Sequence, residues 1–362
     1  MLTFKRALIF AACILTVLFL VTRTNNNPTQ PDILPHPSSD LQKGGAEQED
    51  STTKADDGSN SAKMPPVQMK PPGNGQQIIQ DSSRATLREK LAYQFPYDQE
   101  SKFPAYIWQT WKYTPASGEF GESFRPAEAS WSEKHPGFIH EVITDQVAVH
   151  LLRHFCSQGR LFRYLILLAR GGIYSDIDTY ALKSATEWLP EIVPREQVGL
   201  VIGIEADPDR EDWKEWYSRR IQFCQWTIQS KAGHPVLRET VAHITDETLS
   251  RKKAGTLKGI SDNKVIEFTG PAVWTDTIFN FMNDKKYFDM TTSKGNITWR
   301  DFTGMKAAKK VGDVVVLPIT SFSPGVQQMG AEDVDHPLAF VKHDFEGTWK
   351  PESLRHIGEQ QQ

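Results

Sequence analysis

Cysteine is scarce: the 362-residue chain carries three, Cys13, Cys156 and Cys224, too few for a disulfide framework. Cys13 falls in an apolar leader. Cys156 and Cys224 are therefore the one pair that could bridge in an oxidising compartment, with two buried free thiols as the other state. Excess positive charge is missing as well. A formal net charge of -4 and a pI near 6.2 leave no basic footprint, so no nucleic acid is expected as a partner. Aromatic residues are absent from Asn25 to Ser83, and no internal repeat of useful period appears. Long apolar runs are missing too, apart from one.

That one run, Ala7 to Val21, is broken only by Thr16 and is flanked by Lys5, Arg6 and Arg23. No small-x-small cleavage site follows it, so the expectation is an uncleaved signal anchor rather than a removed signal peptide. Its short span suits a thin early secretory membrane. The basic residues ahead of it keep the N-terminus cytosolic and the rest luminal. From there to about Ser83 the chain is Pro, Ser, Asn, Gln, Asp and Gly, which cannot bury enough surface to offset its ordering entropy. The organisation read from sequence is a cytosolic tail (1–6), a transmembrane anchor (7–22), a disordered luminal stem (23–84), one folded domain (85–355) and a disordered tail (356–362). The sequon Asn296-Ile297-Thr298 marks Asn296 for glycosylation, which fits a luminal domain.

Within the folded part the chemistry centres on Arg170-Gly171-Gly172-Ile173-Tyr174-Ser175-Asp176-Ile177-Asp178-Thr179. The apolar stretch Leu161 to Ala169 reads as a buried helix ending at the glycine pair. A short strand is expected after it. On that strand Asp176 and Asp178 would face one side and Ile177 the core. Two such carboxylates, solvated in a crevice, repel one another unless a divalent cation such as Mg²⁺ or Mn²⁺ joins them to a diphosphate. Removing one should then leave stability unchanged or raised. Strands are also predicted at Phe103–Trp111, Phe138–Ile143, Val198–Glu205, Val314–Pro318 and Ala339–His343. Helices are predicted from Gln146, at Arg219–Ile228, after His234-Pro235 and after Pro271. The last follows a strand-to-helix turn at Phe268–Pro271, and Ser321–Gly325 reads as a loop. Strand, helix, strand in this order starts an α/β unit whose crevice lies at the carboxyl ends of the strands. Trp108 and Trp111 could each stack on a base or belong to the core. His343, at a strand end, could supply a third metal ligand.

With these residues in view, the chain from about Phe103 to Trp349 resembles the fungal initiation-specific α-1,6-mannosyltransferase family of the early Golgi. The blocks that carry the likeness are Ile107–Lys112, Phe162–Leu167, the D-x-D segment, Gly203–Asp209, Ile221–Trp226, Thr269–Pro271 and Leu317–Gly325. The resemblance implies an α/β fold of the GT-A nucleotide-sugar transferase type, with a single Rossmann-like luminal domain behind an N-terminal transmembrane helix. It also implies GDP-mannose as donor, Mn²⁺ as cofactor, a high-mannose N-glycan as acceptor, and retention of anomeric configuration. By similarity Asp176 and Asp178 bind ribose and metal and are the catalytic pair. Arg163 and Tyr174 line the donor, Trp111 stacks near the base, and His343 helps hold metal or diphosphate. The implied location is the early (cis) Golgi membrane, single-pass type II, with association in a Golgi mannosyltransferase complex. The chain departs from the family where Arg160 stands in place of an acid, beside a shortened 145–159 segment. The alternative is therefore a catalytically impaired relative acting as a glycan-binding or scaffold subunit. For a double displacement Glu205, Asp207 and Asp301 are the carboxylates at hand. None is assigned, and front-face substitution guided by the departing phosphate is the simpler route.

Overall fold

The computed structural model describes residues 84–152, 161–208, 210–256, 267–289, 291 and 295–347. The anchor, most of the stem, Arg160, Cys156, Trp349 and the C-terminal tail lie outside them. Among the described residues no helix is long and apolar enough to cross a membrane.

In chain order the elements are α1 (Leu87–Gln94), β1 (Tyr106–Trp111), α2 (Arg125–Lys134), β2 (Ile139–Thr144), α3 (Asp145–Leu152), α4 (Leu161–Arg170), β3 (Gly172–Ser175), β4 (Thr179–Ala181) and β5 (Leu200–Ala206). They continue with β6 (Gln222–Phe223), β7 (Thr227–Ser230), α5 (Pro235–Lys253), α6 (Pro271–Met282), β8 (Lys309–Val311), β9 (Val314–Leu317), α7 (Ile319–Phe322) and β10 (Val341–His343). Seven strands form a sheet in the order β2-β1-β3-β7-β5-β9-β8, with β6 paired to β5, while β10 and β4 make a separate pair. β2, β1, β3, β5 and β9 run one way, and β7 and β8 run against them. This is a mixed α/β sheet whose β2-β1-β3 half is Rossmann-like, because β1 is followed by a strand on one side and, later, by one on the other.

Two apolar layers cover the sheet. On one face α4, α5 and α6 supply Leu167, Leu168, Leu237, Val241, Trp274 and Ile278 against Trp108, Tyr174, Ile202 and Ile204. On the other, Trp131, Trp188, Phe322 and Phe340 pack on Ile107, Ile173 and Val201. The alternation Ile107/Trp108 and Ile173/Tyr174 divides neighbouring residues between the two faces.

The helix-to-strand turn requires its two glycines. Gly171 has φ 65° and Gly172 φ 94°. A Cβ at Gly171 would lie 2.7 Å from the Ala232 nitrogen, and one at Gly172 would lie 2.6 Å from the Tyr106 carbonyl oxygen. Only glycine tolerates both the positive φ and the approach of β1.

Three expectations are corrected. Arg219–Ile228 is not a helix but holds β6 and the start of β7, since Ile221, Phe223, Cys224 and Ile228 are all buried and fill both apolar layers. Residues 267–269 are helical rather than a strand, and a bend at Gly270 precedes α6. Ile319–Phe322, expected to fall partly in a loop, is the short α7, whose Phe322 ring occupies the space over Gly203. Cys224 is a buried free thiol.

Candidate active site

β3 stops at Ser175, so the acid pair sits not on a strand but in the turn that joins β3 to β4. The expected period-two alternation therefore does not align Asp176 with Asp178; the turn does. Its backbone is fixed on several sides. Asp176 N–H donates to the Trp226 carbonyl at 2.8 Å, and Thr179 N–H donates back to the Asp176 carbonyl at 3.2 Å. The Gln109 side-chain amide donates to that same carbonyl at 3.1 Å. Ile177 between the acids is buried.

Gln109 is wholly buried and is itself braced. Its Oε1 lies 2.9 Å from His140 Nε2, and His140 Nδ1 lies 2.9 Å from Ser132 Oγ. Since Gln109 Oε1 can only accept, His140 donates from Nε2 and its Nδ1 accepts from the serine. Burial pushes the His140 pKa down to about 4, with a smaller contribution from His135, so the ring is neutral and suited to that relay.

Arg163 projects from the first turn of α4 and is buried. Its Nη1 donates to the Gln225 carbonyl at 2.8 Å, its Nη2 lies 3.1 Å from Asp176 Oδ1, and its guanidinium stacks 4.8 Å from the Tyr174 ring centre. The Tyr174 hydroxyl donates to Asp176 Oδ1 at 2.8 Å and lies 3.0 Å from Thr110 Oγ1. Burial acts to lower the Arg163 pKa, but Asp176 and the neighbouring tyrosines raise it on balance. Burial raises that of Tyr174. A charged arginine and a neutral phenol thus both point at one aspartate.

Asp178 was expected to be solvated. It is 7% exposed. Pairing of β10 with β4 sets His343 opposite Thr179, which brings His343 Nε2 to 3.2 Å from Asp178 Oδ1 while Glu346 N–H donates to Oδ2 at 3.1 Å. Burial alone would raise the Asp178 pKa; the hydrogen bond and charge of His343, with the backbone donors, lower it overall. Phe345, between these partners, has φ 53° and packs 4.0 Å from the His343 ring. A non-glycine aromatic at positive φ stores strain of the kind found at ligand sites.

Asp176, Asp178 and His343 each offer a ligand atom, all within 4.8 Å of one another. His343 Nδ1 is buried without a hydrogen-bond partner. Two carboxylates and an imidazole are a donor set that suits Mn²⁺, so the residues fit the ion. In the sequence His343 enters as a third ligand through the ion's need for one and through the family resemblance, because the pairing of β4 with the distant β10 has no local signal.

Other candidates fall elsewhere. Trp108 is core: its indole donates to the Gly171 carbonyl at 2.9 Å and stacks on Tyr106. Trp111 is half-buried at the end of β1, with its indole N–H on the Phe120 carbonyl at 2.8 Å and its ring 4.5 Å from that of Phe124, both contacts lying outside the acid cluster. Asp207 accepts from Thr303 Oγ1 and Gly304 N–H, both at 2.7 Å, and Asp301 closes a capping box with Thr298. Both carboxylates have structural work. Asn296 is exposed. Sequence reasoning missed Gln109 and His140, whose one signal was a polar residue at a core-facing strand position, and Gln225 and Trp226, which the false helix concealed.

Two aspartates after β3 and a histidine from β10 thus converge beside the sheet, and the class is a glycosyltransferase of the DXD type: residues 121–195 match the model described as glycosyltransferase sugar-binding region containing DXD motif. Relatives extend the likeness over most of the chain. It is 44% identical over 300 residues to the initiation-specific alpha-1,6-mannosyltransferase of Candida albicans, covering 75% of this chain and 78% of that one. It is 31% identical to the protein of that name in Saccharomyces cerevisiae, covering 75% and 83%. A further relative in that yeast, putative glycosyltransferase HOC1, is 37% identical over 76% and 72%. The chain belongs to the initiation-specific α-1,6-mannosyltransferase family.

Proposed function

We propose that the protein is a retaining α-1,6-mannosyltransferase that moves mannose from GDP-mannose to the N-linked high-mannose core glycan and so starts outer-chain elongation. The observation that carries this is the convergence of Asp176, Asp178 and His343 in a chain 44% identical to a relative bearing that name. The fold in this reading is of the GT-A type, anchored by the N-terminal apolar run as a type II protein of the early Golgi.

Asp178 and His343 would hold Mn²⁺, with Asp176 shared between the ion and the donor. The bound ion would supply positive charge to the diphosphate as it leaves. Arg163 balances the charge of Asp176 and, with Tyr174, fixes its carboxylate. Gln109 holds the turn from behind. Retention without an assigned nucleophile is met by front-face substitution: the acceptor hydroxyl attacks the anomeric carbon on the side that GDP leaves, and its proton passes to the departing phosphate oxygen.

Release of GDP from GDP-mannose by the full-length protein, with and without acceptor glycan, Mn²⁺ and EDTA, tests the reading. Mn²⁺-dependent, acceptor-stimulated release is expected. A folded protein that binds glycan yet releases no GDP would assign it instead to a scaffold role in a Golgi mannosyltransferase complex. Luminal placement predicts a mobility shift on endoglycosidase treatment that Asn296→Gln removes; a shift surviving the substitution, or no shift at all, counts against it.

A further inference from the structure

Buried polar atoms in folded proteins are nearly always paired, so those that are not call for an explanation. Here five of them belong to residues gathered at one end of the sheet. Arg163 Nε, Glu205 Oε2, Gln225 Oε1, Trp226 Nε1 and His343 Nδ1 are all buried without a hydrogen-bond partner. They are neighbours: Arg163 bonds the Gln225 carbonyl, the Trp226 ring lies 4.5 Å from that of His343, and the Glu205 carboxyl feels the charges of His343, Arg163 and Asp176. Topology explains the meeting. β5 carries Glu205 past Gly203, the residue that pairs with the end of β9, and the chain entering β7 from β6 passes beside the end of β3 because β7 runs antiparallel to it.

Glu205 differs from the other two carboxylates considered for this site. Asp207 is spent on Thr303 and Gly304, and Asp301 on Thr298. Burial pushes the Glu205 pKa up to about 7, against the lowering influence of His343, the Trp226 indole N–H and Arg163, and its Oε2 completes no bond. Two acceptors, Glu205 Oε2 and Gln225 Oε1, and one donor, Trp226 Nε1, are thus left unpaired close together, a need that no apolar ligand could meet. A ring bearing several hydroxyls could, since each hydroxyl both donates and accepts.

We propose that Glu205, Gln225 and the Trp226 indole N–H form the subsite for the hydroxyls of the transferred hexose, with the Glu205 carboxylate as the principal acceptor. This rests on the nucleotide-sugar reading above and adds to it the residues that touch the sugar. Mannose hydroxyls donate to Glu205 Oε2 and Gln225 Oε1, and one accepts from Trp226 Nε1. The nucleotide and diphosphate make none of these contacts.

The test separates sugar from nucleotide. Binding of GDP and of GDP-mannose, each with Mn²⁺, is measured by calorimetry for the wild-type full-length protein and for Glu205→Gln and Gln225→Ala, beside GDP release and thermal melts. Glu205→Gln is expected to lower kcat/KM for GDP-mannose at least about tenfold, the loss of one charged hydrogen bond, while GDP affinity stays within about twofold. Its melting temperature should hold or rise, because an unpaired buried carboxyl destabilises the fold. Gln225→Ala should show the same pattern with a smaller loss. Unchanged turnover in both variants would overturn the assignment, and so would an equal loss of GDP and GDP-mannose binding. Wild-type protein that fails to bind GDP with Mn²⁺ would overturn the donor reading itself.

Discussion

At the amino ends of β5 and β9, Asp313 is fully buried, yet its oxygens face the Tyr97 hydroxyl and His234 Nε2, and its backbone carbonyl takes the Gly199 N–H at 2.8 Å. Lys231 beside it is equally buried and donates to the carbonyls of Gln99 and Glu196. None of these side chains has an unpartnered polar atom. At the carboxyl ends of β3 and β5 the sheet buries charge again, in Arg163 and Asp178, and five side chains are left with a polar atom unpaired. The first end is complete in itself and serves stability. The second carries its full set of bonds only with something bound, which is how a ligand site differs physically from a structural network.

Removing a carboxylate from each end is the strongest way to break this contrast. Asp313→Ala strips a buried network of its carboxylate and leaves Tyr97 and His234 without that partner. A loss of about 3–5 kcal/mol in chemical denaturation is expected, with the activity of the surviving folded fraction unchanged. Burial alone would raise the Asp313 pKa, but His234 and Tyr97 bring it below its ordinary value. A depressed carboxylate contributes stability that is full above the unfolded pKa near 3.8 and is lost as pH falls through the folded one, so the wild-type protein should lose this contribution only in strong acid and the variant should lack it throughout. Asp178→Ala should do the converse: turnover down at least about a hundredfold with Mn²⁺ present and stability down only about 1–3 kcal/mol, for the partners left at His343 and Glu346. The expectation from sequence that stability would hold or rise is withdrawn, because it took Asp178 for a solvated acid repelled by its neighbour. A melt showing Asp178→Ala as costly as Asp313→Ala would erase the distinction between the ends.

The parts of the site legible in the sequence were those encoded locally. The glycine pair, the apolar helix ahead of it and the aspartates two residues apart sit in one short segment, and positive φ at Gly171 and Gly172 leaves little freedom in how they fold. What crosses the sheet was not legible. His343 meets Asp178 through the pairing of β10 with β4, and Gln109 meets Asp176 through the register of β1 against β3; neither pairing has a short-range signal. Arg219–Ile228 misled because its buried Ile221, Cys224 and Ile228 recur at helical spacing, although Ile221 and Ile228 fall in one apolar layer and Cys224 in the other. Period alone does not separate these cases in short apolar runs. The reading of the aspartates as strand neighbours reached a shared face by the wrong geometry, since a tight turn also brings residues i and i+2 together.

The smallest effect is expected at His140, which belongs to the site end but touches no ligand, and it sharpens the contrast because it is a site residue whose polar atoms are all engaged. Burial holds its folded pKa near 4, below the 6.5 of an unfolded histidine. The folded state therefore binds the proton less readily than the unfolded one. Stability from the neutral ring is complete above pH 6.5 and declines as pH falls toward 4, by at most about 1.4 kcal/mol per pH unit. In His140→Asn that decline should flatten between pH 6.5 and 5, about 1 kcal/mol per unit at most being removed from the slope. Turnover at pH 7 should fall only about three- to tenfold, through a looser Gln109 amide under the Asp176 carbonyl, and the loss should appear in kcat more than in the KM for GDP-mannose. Denaturation curves at several pH values check the first point and steady-state kinetics the second. A variant with an unaltered pH slope would show that the His140 pKa is not depressed in the folded protein, and a variant as inactive as Asp178→Ala would move His140 from supporting the turn to contacting the donor.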